Sequence, residues 1–219
     1  MTTGGSENLE GGDVARDQLL LAALSHIPFD GWSEAALIAG ARDLGLDKSD
    51  VQRIFPNGGG GAVEHFANWA DRRMLAELTK RDLTSMRVRD RIATGVRLRL
   101  EVLAPYREAL RRAVSHLALS QDAPLAAAST YQTVSTIWYA AGDRATDFNF
   151  YTKRGLLAGV YLSTVLYWLA DESDGYADTW GFLERRLDGV MAIPKVTAKI
   201  KDIFSKLPRA FRDATLRRP

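Results

Sequence analysis

The chain predicts an all-α protein, and three observations carry that prediction. Helix-starting and helix-stopping signals recur along its length, while the alternating pattern of a half-buried strand is scarce. Apolar side chains return every three or four residues, as Tyr176, Trp180, Leu183, Leu187 and Met191 do. The longest uncharged run, Gly155 to Ala170, is flanked by turn-forming segments and reads as a central buried helix.

The elements follow in order. The opening MTTGGSENLEGG is polar, glycine-rich and acidic, so residues 1–13 read as a disordered lead-in. Asp13 caps a first helix from about Val14, with Leu20, Leu21 and Leu24 inward and Pro28 past its end. Gly31, Trp32 and Ser33 announce a second helix through about Leu44, stopped by Gly45; Asp47, with Asp50 three residues on, caps a third through about Phe55. Residues 14–57 thus form a helix-turn-helix-like domain. Its leucine-rich first helix, the run IAGARDLGLDKSDVQRIFPN and the long helix through His65, Phe66 and Trp69 resemble the N-terminal domain of TetR-type regulators, which speaks to fold.

Charge argues against DNA. The overall balance of +2 divides into −6 over residues 1–70 and +8 over the remainder. Lys48 and Arg53 of the third helix face Asp47 and Asp50, and an acidic module displaces few phosphate counterions. No nucleic-acid partner is expected.

A helical domain over residues 62–193 follows Pro56 and a flexible GGGG at 58–61. One long helix runs through about Arg81 and another through about Leu103, on which Arg87, Arg89, Arg91, Arg97 and Arg99 read as a solvated face. Pro105 opens a helix carrying Tyr106, Leu110, Val114 and Leu117, and Pro124 one that ends near Trp138. Ala141, Gly142 and Asp143 stop it, and Thr146 or Asp147 caps the next. Between Ile137 and Arg154 fall Trp138, Tyr139, Phe148, Phe150 and Tyr151; on a helix Phe150 points about 160° away from Phe148, so one large ring is left exposed. DESDG at 171–175 is a turn before the last apolar face.

Beyond Pro194, residues 195–219 carry a net +6, with Val196, Ile200, Ile203, Phe204 and Leu207 on one face and lysines, Lys199 among them, on the other. Such a helix lies in a bilayer interface, each cation adding roughly 1 kcal/mol near an anionic leaflet. The expected membrane contacts are Val196, Lys199, Ile200, Ile203, Phe204 and Leu207. The 16-residue run at 155–170 is too short for the roughly 20 residues a span requires.

Catalytic signals are missing. No cysteine is present to supply a disulfide, a thiol nucleophile or a thiolate metal ligand. His26, His65 and His116 are far apart and none belongs to a Glu-x-x-His pair. No P-loop, dinucleotide fingerprint or nucleophile elbow occurs. Neither enzyme activity, a catalytic residue, a metal nor a cofactor is expected.

WYAAGDRATDFNFYTKRGLLAGVY and DTWGFLERR, with the earlier WSEAALIAGARDLGL and RLRLEVLAPYREALRRAV, resemble the lipid-binding accessory family of ubiquinone biosynthesis, the ninth COQ protein. The resemblance implies a TetR-like helical fold, usually dimeric, that has lost DNA binding and holds an isoprenoid or phospholipid in its C-terminal helices. It implies support of the ubiquinone-precursor hydroxylase, the seventh COQ protein, through an aromatic patch matching Phe150 and Tyr151, beside Lys153 and Arg154, with a C-terminal amphipathic helix on the membrane. Helices over about 86–191 are expected to enclose an apolar cavity walled by Trp138, Leu156, Val160, Thr164 and Trp180. With no transit-peptide arginines in its opening, the chain is expected to be a bacterial cytoplasmic protein held peripherally on the inner face of the membrane. The alternative is a TetR-type repressor with an apolar inducer; a helical interaction module without ligand is a third reading.

Overall fold

The computed structural model describes the backbone of residues 4–119, 123–143 and 148–190 and the side chains of 12–117, 124–143 and 152–190. The described residues are helical, with no strand among them, as the sequence pattern requires.

Helix α1 (Gly4–Ala23) begins earlier than the expected Val14, because extending a helix from a packed segment costs far less than nucleating one. Leu19, Leu20 and Leu24 are buried; Leu21 is on the outer edge, one residue being about 100° of helical turn. A short α2 (Ile27–Asp30), with Pro28 in its first turn, follows. α3 (Glu34–Asp43) opens on Ser33, whose hydroxyl accepts from the Ala36 N–H at 3.2 Å. α4 (Lys48–Ile54) opens on a capping box: Asp47 accepts from the Ser49 and Asp50 amides, and Asp50 accepts from the Asp47 amide at 3.1 Å. Gly45 between them holds φ +72°, a conformation that favours glycine.

The tetraglycine is helical rather than flexible, forming the first turn of α5 (Gly58–Leu78). A Cβ on Gly59 would lie 2.0 Å from the Trp32 carbonyl oxygen, so that turn rests directly on the backbone leading into α3. Gly40 plays the same part between α3 and α1, where a Cβ would lie 2.5 Å from the Ala23 nitrogen.

α6 (Val88–Leu103), a 3-10 turn at Ala104–Tyr106, α7 (Arg107–Leu119), α8 (Ala123–Ala140), α9 (Phe148–Ala170) and α10 (177–190) complete the described chain. α5 packs on α1, α6 and α8, and α8 on α9, around one continuous apolar core that includes Leu20, Phe66, Met74, Leu100, Ile137 and Trp168. α8 closes with the Asp143 N–H donating to Trp138 O and the Gly142 N–H to Tyr139 O, both at 3.0 Å, with Gly142 at φ +94°.

The arginines of α6 do not form a single solvated face. Arg89 reaches Glu184 and Asp188 of α10. Arg91 donates to the Met86 and Ala141 carbonyls, and Arg99 turns into the core. Arg87 and Arg97 remain outside, paired with Asp90 and Glu101.

Asp171 fixes the turn between α9 and α10. Its carboxylate accepts from the Ser173 and Thr179 amides, at 2.8 and 2.9 Å, and from the Thr179 hydroxyl at 2.5 Å. Burial pushes this carboxyl up, but the hydrogen bonds from Ser173 and Thr179 outweigh it and hold the pKa at about 2. The unfolded chain takes up this proton near pH 4 and the folded one near 2, so the stabilisation is complete above about pH 5 and lost on acidification through that window. Asp171→Asn is expected to lower stability at pH 7, with its deficit against the native chain shrinking between about pH 4 and pH 2 in urea titrations. A deficit independent of pH would contradict the assignment.

Candidate ligand-binding cavity

An apolar cavity of about 290 Å³ lies between α5, α6, α7, α8 and α9. Val63 and Phe66 come from α5, Leu103 from α6, Ala113 and Leu117 from α7, Ala126 from α8, and Val165 from α9. Leu162, 47% exposed, together with half-buried Leu117, Ala126, Ser129 and Thr130, marks the outer end. The inner end is formed by buried Phe66, Leu103, Thr133, Tyr161 and Arg99.

That inner end is a closed polar network. Arg99, only 3% exposed, donates from Nε to Asp71 Oδ1 at 2.6 Å, from one terminal nitrogen to the Tyr161 hydroxyl at 2.5 Å, and from the other to the Ala67 carbonyl at 3.3 Å. Thr133 donates to the same carboxylate at 3.0 Å. Burial works against the guanidinium charge, but Tyr161 and Asp71 more than offset it and hold Arg99 above its ordinary value. Burial likewise raises Tyr161, whose phenol stays protonated. Asp71 also borders a second, polar recess with His65, Asn68, Arg72, Gln132 and Thr136. His65 there is bonded to Asp17 at 2.7 Å, and burial lowers its pKa, leaving it neutral at pH 7. Among the described residues no group of three or more potential ligands could hold a metal ion.

None of the five residues expected to wall the cavity lines it. Val160 and Thr164 sit one position before the lining residues Tyr161 and Val165, a turn of about 100°. Thr164 bonds back to the Val160 carbonyl at 2.7 Å, and Leu156 is half-buried on the same side of α9. Trp138 packs in the α8–α9 corner, its indole donating to the Lys153 carbonyl at 3.2 Å, and Trp180 lies under Arg97 at 4.8 Å. The cavity also extends beyond the expected 86–191 to include α5. Arg99 carries a legible signal: it falls with Ile92, Val96 and Leu103 on the buried stripe of α6.

Of the expected partner contacts, Phe150 and Tyr151 belong to the first turn of α9, and their side chains lie outside the described residues. Arg154 turns inward and is buried, while Lys153 stays half-exposed: Asp143 accepts from Lys153 at 2.9 Å and from Arg154 at 3.5 Å. Among the described residues of the corner, the exposed ring is Tyr139, 61% exposed. The membrane contacts Val196, Lys199, Ile200, Ile203, Phe204 and Leu207 lie outside the described residues, as do Thr146 and Asp147. No described helix is long and apolar enough to cross a membrane.

Fold and cavity together define a TetR-regulator-like helical protein with an internal apolar chamber. A TetR transcriptional regulator from Nitrosomonas europaea superposes over 80% of this chain and 97% of its own with a TM-score of 0.65, at 23% identity. The chain belongs to the COQ9 family. The COQ9 family model matches residues 123–194, which begin with α8 and contain α9 and α10. The chain is 36% identical to a Drosophila melanogaster protein named ubiquinone biosynthesis protein COQ9, mitochondrial, over 92% of this chain and 63% of that one. It is 32% identical to the proteins of the same name from Rattus norvegicus and Homo sapiens, over 96% of this chain and 69% and 68% of theirs. This chain therefore spans about two thirds of the length of these relatives. All of them are named mitochondrial, which overturns the expected bacterial cytoplasmic placement at the inner face of the membrane. That expectation rested on the composition of the first residues, which says nothing of an address in a chain spanning only part of its relatives.

The buried pair yields a stability prediction. Arg99→Ala leaves the Asp71 charge unpaired in the core and is expected to cost about 3–5 kcal/mol. Urea denaturation should show a lower midpoint with an unchanged slope; a change below about 1 kcal/mol would contradict the role given to the network.

Proposed function

We propose that this protein is a non-catalytic accessory protein of ubiquinone biosynthesis, binding an isoprenoid or quinone precursor, or a phospholipid, and presenting it to the ubiquinone-precursor hydroxylase. The apolar cavity carries this reading: it buries apolar surface on five helices, and a long apolar ligand gains about 25 cal/mol for each Å² it removes from water. The names of the relatives support the pathway. Support for a carrier over a repressor comes from α4, whose Arg53 is bonded to Asp50 at 2.6 Å and whose Lys48 is paired with Glu34 at 3.2 Å. Those cations are already answered within an acidic segment, which leaves little for phosphates.

In this reading Phe150 and Tyr151 meet the hydroxylase, and the basic amphipathic segment 195–219 rests on a lipid surface near the ligand. The protein acts as a homodimer and needs no metal or redox cofactor of its own.

Two measurements test the proposal. Mass spectrometry of organic extracts of the purified protein is expected to recover a stoichiometric isoprenoid or phospholipid, and repeated recovery of lipid-free protein would overturn it. In flotation with anionic liposomes, the full chain should rise with the vesicles, and removing residues 195–219 should leave most of it in the dense fraction. Equal flotation of both would remove the membrane role from that segment.

A further inference from the structure

The inner wall of the cavity contains a full positive charge, since a guanidinium stays protonated in a protein interior. Taken alone, a buried cation at the end of an apolar chamber is a site for a carboxylate or phosphate head group. Here the charge already has its partner. Arg99 commits Nε to Asp71, one terminal nitrogen to Tyr161 and the other to the Ala67 carbonyl. Asp71, itself buried, supplies the compensating charge from behind the wall and is held in place by Thr133. Arg99 is the sole charged side chain among the described residues that line the cavity, so with Asp71 present the lining offers an anion no uncompensated charge.

The remaining polar groups of the lining are hydroxyls: Ser129 and Thr130 half-buried towards the outer end, Thr133 and Tyr161 buried at the inner one. Hydroxyls suit neutral oxygen atoms, such as a carbonyl, an ether or an alcohol. Burying an ionised head group against them, without an open cation, leaves its desolvation largely uncompensated.

We infer that Asp71 is the specificity-determining residue of this cavity: by masking the charge of Arg99 from behind, it makes the chamber accept uncharged apolar molecules and exclude anionic ones. Asp71 acts through Arg99 and is a positioning residue. The inference rests on the cavity being the ligand site, as argued under the proposed function, and goes further by fixing the charge of what is held inside. An anionic lipid is accommodated only with its head group outside.

The test uses two compact fluorescent probes sharing one ring system, neutral N-phenylnaphthylamine and its anionic counterpart anilinonaphthalenesulfonate. The full-length protein is titrated with each at pH 7.5. The native chain is expected to bind the neutral probe at one site and the sulfonate at least about tenfold more weakly. Ser129→Trp, which fills the outer end without entering the buried network, should abolish binding of the neutral probe and so assign the signal to the cavity. Asp71→Asn keeps a side chain able to accept from Arg99 but removes the negative charge, and it should tighten the sulfonate at least about tenfold while leaving the neutral probe unchanged, erasing the preference. Adding Arg99→Met to that variant removes both charges and should restore the preference for the neutral probe. A native chain that binds both probes equally overturns the inference while leaving the cavity intact as a ligand site, whether or not the Asp71 variant folds. A native chain that binds neither overturns the cavity reading and this inference together. A folded Asp71→Asn protein with unchanged selectivity also overturns it.

Discussion

Removing a guanidinium from water and placing it among apolar side chains is tolerable only if each of its nitrogens finds an acceptor and the charge finds its opposite. Arg99 meets that condition through Asp71, Tyr161 and Ala67, and in doing so ties α6 to α5 and α9, while Thr133 brings in α8. A well-packed hydrophobic filler at this position would be at least as stable. What the polar cluster supplies is a rigid wall: its geometry is set by hydrogen bonds, so the neighbouring apolar side chains cannot slide inward to fill the chamber. The cavity of about 290 Å³ has this cluster at its inner end.

Much of the fold was legible because it is locally encoded. Ser33, the pair Asp47 and Asp50, Gly45 and Gly142 each act within a few residues of their own position, and the helix ends fall where those residues indicate. The four glycines at 58–61 misled for the opposite reason. Composition suggests a flexible linker, yet Gly59 is required by the approach of the Trp32 backbone, a contact that only the tertiary arrangement creates.

The cavity was legible as a class of feature and not as a set of residues. The uncharged run 155–170 of α9 implied an apolar interior, but choosing Val160 and Thr164 over Tyr161 and Val165 is a matter of a single residue of helical rotation, which pattern alone did not resolve. Charged residues were the harder case. Arg99, Lys153 and Arg154 look like surface cations from composition, and all three are bound to carboxylates, two of them from buried positions. For Arg99 the stripe of Ile92, Val96 and Leu103 overrides the usual preference of arginine for solvent; for Lys153 and Arg154 the attracting group is Asp143, placed by the glycine that ends α8.

One contact gives the helix-turn-helix segment a reason to exist that has nothing to do with nucleic acid. The Trp32 indole donates to the Ala109 carbonyl of α7 at 2.9 Å, and its ring lies 5.2 Å from that of Phe66, which itself lines the chamber. The amino-terminal helices therefore serve as a roof beam. Whatever else these helices touch, stripping them away would expose the back of the wall that Phe66 gives the chamber.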